Sequence, residues 1–217
     1  MTNIDVYIDV IEKLLARLKS EEKPNIEKAA QMIATAMQND KWLYVFGSGH
    51  SHMMAEEFFY RAGGLMRVYP IMEPTLMLHE GAIKSTQAER QSGTAKKILD
   101  NYPIDLGDVL IVASNSGRNA VPIEMAIEAK KIGVSVVALT SLNHSKAVTS
   151  RHSSGKRLFE LADIVIDNKI IVELKTVPCI NNNMIAQLLN YLHISKLSVG
   201  YVINFRNSII EFKRFVL

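Results

Sequence analysis

Apolar residues recur along this chain in two rhythms. In IDVYIDVIEKLLARLKS, the residues Ile4, Ile8, Ile11, Leu15 and Leu18 fall at helical spacing, which predicts an amphipathic helix. Pro24 opens PNIEKAAQMIATAMQND as a second helix, since its fixed φ and missing N–H suit a first turn. From Trp42 the rhythm changes. KWLYVF, GDVLIVAS and VSVVALT are short, nearly unbroken apolar runs, the pattern of strands covered on both faces. MRVYPI and DIVID are weaker runs of the same kind. Helices are predicted between them over HMMAEEFFYRAG, in parts of Thr75–Asn101, and over AVPIEMAIEAKKIG. Ser141–Gly155 reads as a Ser/His-rich loop, and a short helix precedes DIVID.

Strands that alternate with helices imply βαβ units and a parallel sheet with helices on both sides. The expected fold class is α/β, a three-layer αβα sandwich preceded by two N-terminal helices. At 217 residues and 48% apolar content the chain can bury one sizeable core. It is expected to be a single domain over 1–217, with helices in 1–40, a core in 42–168 and a tail in 169–217.

Charge and cysteine usage narrow the partners. The net charge is +3, but residues 169–217 hold six Lys/Arg against Glu173 and Glu211, a balance of +4, so the remainder carries −1. That is no designed basic face, and no nucleic-acid partner is expected. With one cysteine, Cys179, no intramolecular disulfide can form, which fits a reducing compartment. Acids interrupt the N-terminus, so it does not read as a signal peptide, and no apolar run reaches the roughly 20 residues of a membrane span. A cytoplasmic location without membrane contact is expected.

The stretch with the most chemistry is GSGHSH, residues 47–52, where a strand runs into a helix. Such a turn leaves backbone N–H groups unpaired beside the positive end of a helix dipole, an anion site most often used for phosphate. Gly47 and Gly49 allow close approach, and Ser48 and Ser51 add hydroxyls. The bland alternative is a tight turn with Ser51 as a helix cap. The string fits neither the dinucleotide fingerprint, since His52 stands where a third glycine is required, nor a nucleoside-triphosphate loop. The device recurs in SNSGRN, where Ser114, Asn115, Ser116 and Asn119 surround Gly117. In an open parallel sheet, two such turns on the carboxyl edge converge at the switch point.

The strings GSGHSHMMAEEFFYRAGG, EPTLMLHEGA, SNSGRNAVPIEMA and SRHSSGKRL resemble the SIS (sugar isomerase) domain, in particular stand-alone bacterial members related to phosphoheptose isomerases. The resemblance runs from about Trp42 to Asn168. It implies a flavodoxin-like sheet of five parallel strands and a sugar-phosphate ligand. The Ser-x-Ser-Gly turn would wrap the phosphate with Ser114, Asn115 and Ser116, with Asn119 beyond it. Ser48 and Ser51 would meet phosphate or sugar hydroxyls. An aldose–ketose isomerase is the implied activity. A lyase or etherase acting on an amino-sugar phosphate and a non-catalytic sensor are the alternatives. Whether the chain is an enzyme stays open at this point.

Isomerisation needs a base to move a proton between adjacent carbons and a donor for the carbonyl oxygen. Glu56 and Glu57 follow the first turn, and His52 precedes Glu56 by four residues, on one helix face. The catalytic glutamate that phosphoheptose isomerases draw from this helix falls where this chain has roughly Arg61. The alternative for both acids is a solvated helix face. His79 and Glu80, in MLHEGA, are expected to be partly buried; a structural pair is the competing reading. His144 and His152 share the Ser-rich loop with Lys146, Arg151, Lys156 and Arg157. His50, His52 and Glu56 do not form a metal-site spacing of known type, and a cis-enediol route calls for no metal and no cofactor. A homo-oligomer built partly on residues 4–38 is expected.

Residues 169–217 contain no Asp, one Ala and one Gly and show none of the motifs expected there. Their texture reads as a changed reading frame or a strongly diverged end, with a helix over 181–197 and VGYVINF pairing with SIIEF.

Overall fold

The computed structural model describes residues 3–167, 172–175, 179, 181–182, 184–186, 189, 199–204 and 211–216. Two helices lead the chain, α1 (Asn3–Arg17) and α2 (Lys23–Gln38), joined through a π-helical turn at Leu18–Glu22. Pro24 sits in the first turn of α2, as its missing N–H predicts.

The core is a sheet of five strands: β1 (Leu43–Gly47), β2 (Val68–Ile71), β3 (Val109–Ala113), β4 (Ser135–Thr140) and β5 (Ile164–Asp167). All pairings are parallel, in the order β2-β1-β3-β4-β5. This is the flavodoxin-like order, with its switch point between β1 and β3. Alternate side chains supply the two faces. Tyr44, Phe46, Leu110, Val112, Val136 and Ala138 join a cluster with α5 (Thr94–Leu99) and α6 (Ala120–Ile132). Leu43, Val45, Val109, Ile111 and Val137 face α2 and α3 (Met53–Phe58). Fully buried Leu, Ile and Phe side chains contribute about 1.5–3 kcal/mol each, so the two layers hold the strand ends rigidly.

Two elements differ from the sequence expectation. The helix expected over residues 52–63 begins as a 3-10 turn at Gly49–His52 and ends at Phe58. Phe59 is extended and Tyr60 has φ 50°, which stops the helical hydrogen bonds. The loop expected over 141–155 contains a short helix, α7 (Leu142–Ala147), because the Ser141 side chain caps it by accepting from the His144 N–H at 3.3 Å.

Thr75–Asn101 is partly helical as expected. It holds 3-10 turns at Pro74–Leu76 and Leu78–Glu80, then α4 (Ala82–Ala88) and α5. A second sheet holds β6 (Val172–Lys175), parallel to β7 (Val199–Asn204), which pairs antiparallel with β8 (Glu211–Val216). Of the expected pairing of VGYVINF with SIIEF, the described part is present, with Ile203 opposite Phe212 and Asn204 opposite Glu211, while residues 208–210 lie outside the described residues. Most of the helix expected over 181–197 lies outside the described residues. Among the described residues no helix is long and apolar enough to cross a membrane.

Candidate functional site

The two Ser/Gly turns leave neighbouring strands at the same level. Gly47 and Ala113, the last residues of β1 and β3, are register partners. After β1 the chain turns back onto the strand end so tightly that a Cβ on Gly47 would sit 2.2 Å from the Ser51 carbonyl oxygen. Only glycine fits there. After β3, Gly117 takes φ 55°, and a Cβ there would crowd Leu158 and Ser145.

The second turn spends its carbonyls on the protein. The Asn115 carbonyl accepts from Ser141 N at 3.0 Å and Thr140 Oγ1 at 3.1 Å. Those of Ser116, Gly117 and Arg118 accept from Ser145 Oγ (2.7 Å), Leu158 N (2.9 Å) and Arg151 N (2.8 Å). Gly117 N donates to Ser114 Oγ at 3.3 Å. Among the described residues, the N–H groups of Ser116, Arg118 and Asn119 and the hydroxyls of Ser51 and Ser116 have no protein partner. The 13-residue helix α6 starts directly behind them and adds its dipole. α3 has only 6 residues, so the electrostatic weight of the site lies on the second turn. Asn115 Oδ1 and Arg118 Nε are also buried without a hydrogen-bond partner.

One carboxylate bridges the two turns. Ser48 Oγ donates to Glu89 Oε1 at 2.6 Å, and Asn119 Nδ2 donates to Glu89 Oε2 at 2.6 Å. The Glu89 backbone is fixed from both sides: its N–H donates to Ser85 O at 3.0 Å, and its carbonyl accepts from Val121 N at 3.1 Å. Ser85 in turn anchors α4 by donating through Oγ to Leu76 O at 2.7 Å. Arg151 donates through Nη1 to Asn119 Oδ1 at 2.8 Å. Burial first, then the neighbouring Arg118 and Arg90, draw the Arg151 guanidinium below its ordinary value, while Glu89 acts in the opposite sense. Three guanidinium groups and one carboxylate therefore share this corner.

The expected acids lie elsewhere. Glu57 is 64% exposed and ion-paired to Arg61. Glu56 is exposed, with Oε1 3.4 Å from Nε2 of the buried His52, whose Nδ1 contacts the Gly49 carbonyl. His79 and Glu80 are both exposed, against the expectation of partial burial, because the 3-10 turn at Leu78–Glu80 turns them outward. The His79 ring stands edge-on to His52, centroids 6.0 Å apart. His144 is buried beside the second turn, its Nδ1 3.4 Å from Asn115 Nδ2, and burial together with Arg118 holds it below its ordinary value. His152 faces Glu124, Nε2 to Oε1 3.4 Å. A separate apolar groove of about 440 Å³ lies on the sheet face between α2 and α3, lined by residues such as Ile33, Met54, Phe58 and Ile166, and holds none of this chemistry.

Residues 6–141 match the family described as SIS domain. The chain belongs to the SIS domain family. It is 49% identical over 162 residues to a UPF0309 protein of Halalkalibacterium halodurans, covering 75% of this chain and 67% of the relative. With a UPF0309 protein of Thermoanaerobacter pseudethanolicus it shares 50% over 164 residues, covering 75% and 66%. This SIS chain thus spans about two thirds of the length of the relatives it matches. Its fold is similar to that of a phosphoheptose isomerase from Francisella tularensis (TM-score 0.54, 20% identity, 90% of this chain and 95% of that one). It is also similar to one from Neisseria gonorrhoeae (TM-score 0.54, 18% identity, 89% and 93%).

A second likeness begins inside the core, overlapping the SIS match at residues 137–141, and runs through the tail. Residues 137–215 are similar to the family described as PD-(D/E)XK nuclease superfamily. Glu89 is the site residue that sequence reasoning missed. It stands in the polar run QAERQSG, and its two partners lie 41 and 30 positions away, so nothing local marks it.

Proposed function

We propose that this SIS-domain chain binds a sugar phosphate in the cleft between residues 47–52 and 114–119, and acts on it as an aldose–ketose isomerase. The observation that carries the reading is the set of N–H groups of Ser116, Arg118 and Asn119 at the start of α6, left over once the neighbouring carbonyls are spent. Successive N–H groups at a helix start form an anion-binding concavity. Arg118 and Arg151 add charge, and the Ser51 and Ser116 hydroxyls add donors. The relatives similar in fold are phosphoheptose isomerases, which supports a sugar phosphate over a bare anion. Thermal denaturation against fructose 6-phosphate, glucosamine 6-phosphate and sedoheptulose 7-phosphate, each beside its unphosphorylated sugar, tests this. A ligand that binds the folded state alone raises the melting temperature by mass action. Stabilisation by at least one phosphorylated sugar and not by its free form is expected. Equal response to both forms, or none, contradicts the reading.

A second reading concerns the tail alone. β6 carries Glu173-Leu174-Lys175, which spells the (D/E)-X-K of the superfamily that residues 137–215 resemble. On this reading the tail is a nuclease-like segment, and a nucleic-acid partner replaces the expectation of none. Cleavage of plasmid DNA in magnesium buffer, lost in Lys175→Ala, is the expected outcome; no cleavage by the wild type removes the reading.

A further inference from the structure

We propose that Glu89 is the catalytic proton-transfer group of the cleft, so that the site performs chemistry on a bound open-chain sugar phosphate rather than only holding it. The proposal rests on the sugar-phosphate reading above. Glu89 reaches both walls of the cleft at once, with Ser48 Oγ and Asn119 Nδ2 each 2.6 Å from one of its oxygens. Both turns are those that carry the donors for the ligand. The carboxylate is half-buried, and its backbone is tied to α4 and α6. Position and orientation are therefore set before any ligand arrives, as an acid–base group requires.

The charge of this residue is the decisive feature. A carboxylate beside an anion site repels the ligand the site collects. Its two hydrogen bonds do not need that charge. A glutamine could accept from Asn119 and donate to Ser48 Oγ, whose hydroxyl can rotate, with no repulsion. Nor does an ion pair explain the acid: Arg90, Arg118 and Arg151 lie near, yet among the described residues Glu89 forms no salt bridge and takes neutral donors only. A site that merely bound phosphate would be better served by the amide. An exchangeable proton at this position is what glutamate adds.

In the step this implies, the Glu89 carboxylate removes the proton from C2 of the aldose. The C2–H electron pair becomes the C1=C2 bond of an enediol, and the carbonyl pair moves to O1, which takes a proton from water. Glu89 then returns its proton to C1 while O2 loses its own to water and becomes the ketose carbonyl. C1 is reduced and C2 oxidised within one molecule, so no external oxidant or reductant enters. Glu56, Glu57 and Glu80, exposed and outside this junction, are left without that role.

The test compares wild type, Glu89→Gln and Glu89→Asp in D2O, with fructose 6-phosphate and sedoheptulose 7-phosphate as probes. Binding is measured by calorimetry and exchange by proton NMR at the carbons flanking the carbonyl. Wild type should bind and exchange or interconvert a probe. Glu89→Gln should bind it at least as tightly and lose exchange by about 100-fold or more, the lower range for acid–base catalysis. Glu89→Asp, which keeps the acid on a shorter stem, should retain a measurable fraction. Exchange by a folded Glu89→Gln within tenfold of wild type overturns the proposal. So does a wild type that binds a probe yet neither exchanges nor isomerises it. If Glu89→Gln does not fold, Glu89→Asp decides: a rate equal to wild type with an unchanged pH profile overturns it. Failure of every sugar phosphate to bind wild type sinks the sugar-phosphate reading itself, a different result from binding without exchange.

Discussion

Arg151 donates through Nη1 to Oδ1 of Asn119 at 2.8 Å, and Asn119 in turn donates through Nδ2 to Glu89 Oε2 at 2.6 Å. A loop residue is thereby coupled to the N-cap of α6 and, through it, to the carboxylate between the two turns. Arg151→Ala removes a charge-assisted hydrogen bond to Asn119 and the cation that makes it. Sugar-phosphate affinity should fall by about 1–3 kcal/mol, while the melting temperature of the unliganded protein stays close to wild type. Calorimetric titration beside a thermal melt checks both halves; an unchanged affinity places the cation outside the site.

Ser114 and Ser116 separate binding from folding. Ser114 Oγ accepts from Gly117 N, so it also shapes the turn, whereas the Ser116 hydroxyl has no partner among the described residues. Both alanine variants should weaken sugar-phosphate binding by about 1–3 kcal/mol. Only Ser114→Ala should also lower the melting temperature. Equal affinity in both variants and wild type would falsify the phosphate assignment.

His144 gives the fold an acid-sensitive step. Burial, with Arg118, lowers its pKa below the ordinary 6.5. The unfolded chain therefore binds a proton on this residue at a higher pH than the folded chain does. Stability from this group is full above about 6.5 and is lost as pH falls through that value toward the lower folded value. Glu160, held below its ordinary 4.5 by Arg157, loses its contribution only at lower pH. Melting curves from pH 7.5 to 5 should show a decline that is shallower in His144→Gln. Identical slopes contradict this origin.

Assembly is predicted from the leading helices. Ile8 and Leu15 of α1 are 49% and 53% exposed, an apolar stripe of the kind that another surface covers. A homo-oligomer using residues 4–38 should appear in light scattering, and Ile8→Asp with Leu15→Asp should reduce its mass. A wild type that is monomeric at high concentration contradicts this.

The sheet was legible because β1, β3 and β4 are unbroken apolar runs, and burial on both faces leaves few other ways to place them. The two turns were legible because glycine and serine at the end of an apolar run mark a tight turn, whatever its use. α3 was read too long, since FFYRAGG keeps helical composition while the backbone at Phe59 and Tyr60 leaves the helix. α7 was missed because its cap, Ser141, lies in a run of polar residues that reads as loop. Glu89 was illegible because its role is a matter of long-range geometry: α4 delivers it to partners on two other elements.

The most direct measurement is an amide chemical-shift titration of the isotope-labelled protein with whichever sugar phosphate stabilises it. The account predicts saturable shifts concentrated at residues 47–52, 89 and 114–119, with the N–H groups of Ser116, Arg118 and Asn119 moving most. Shifts confined to other surfaces, with these three amides unmoved at saturation, would contradict it.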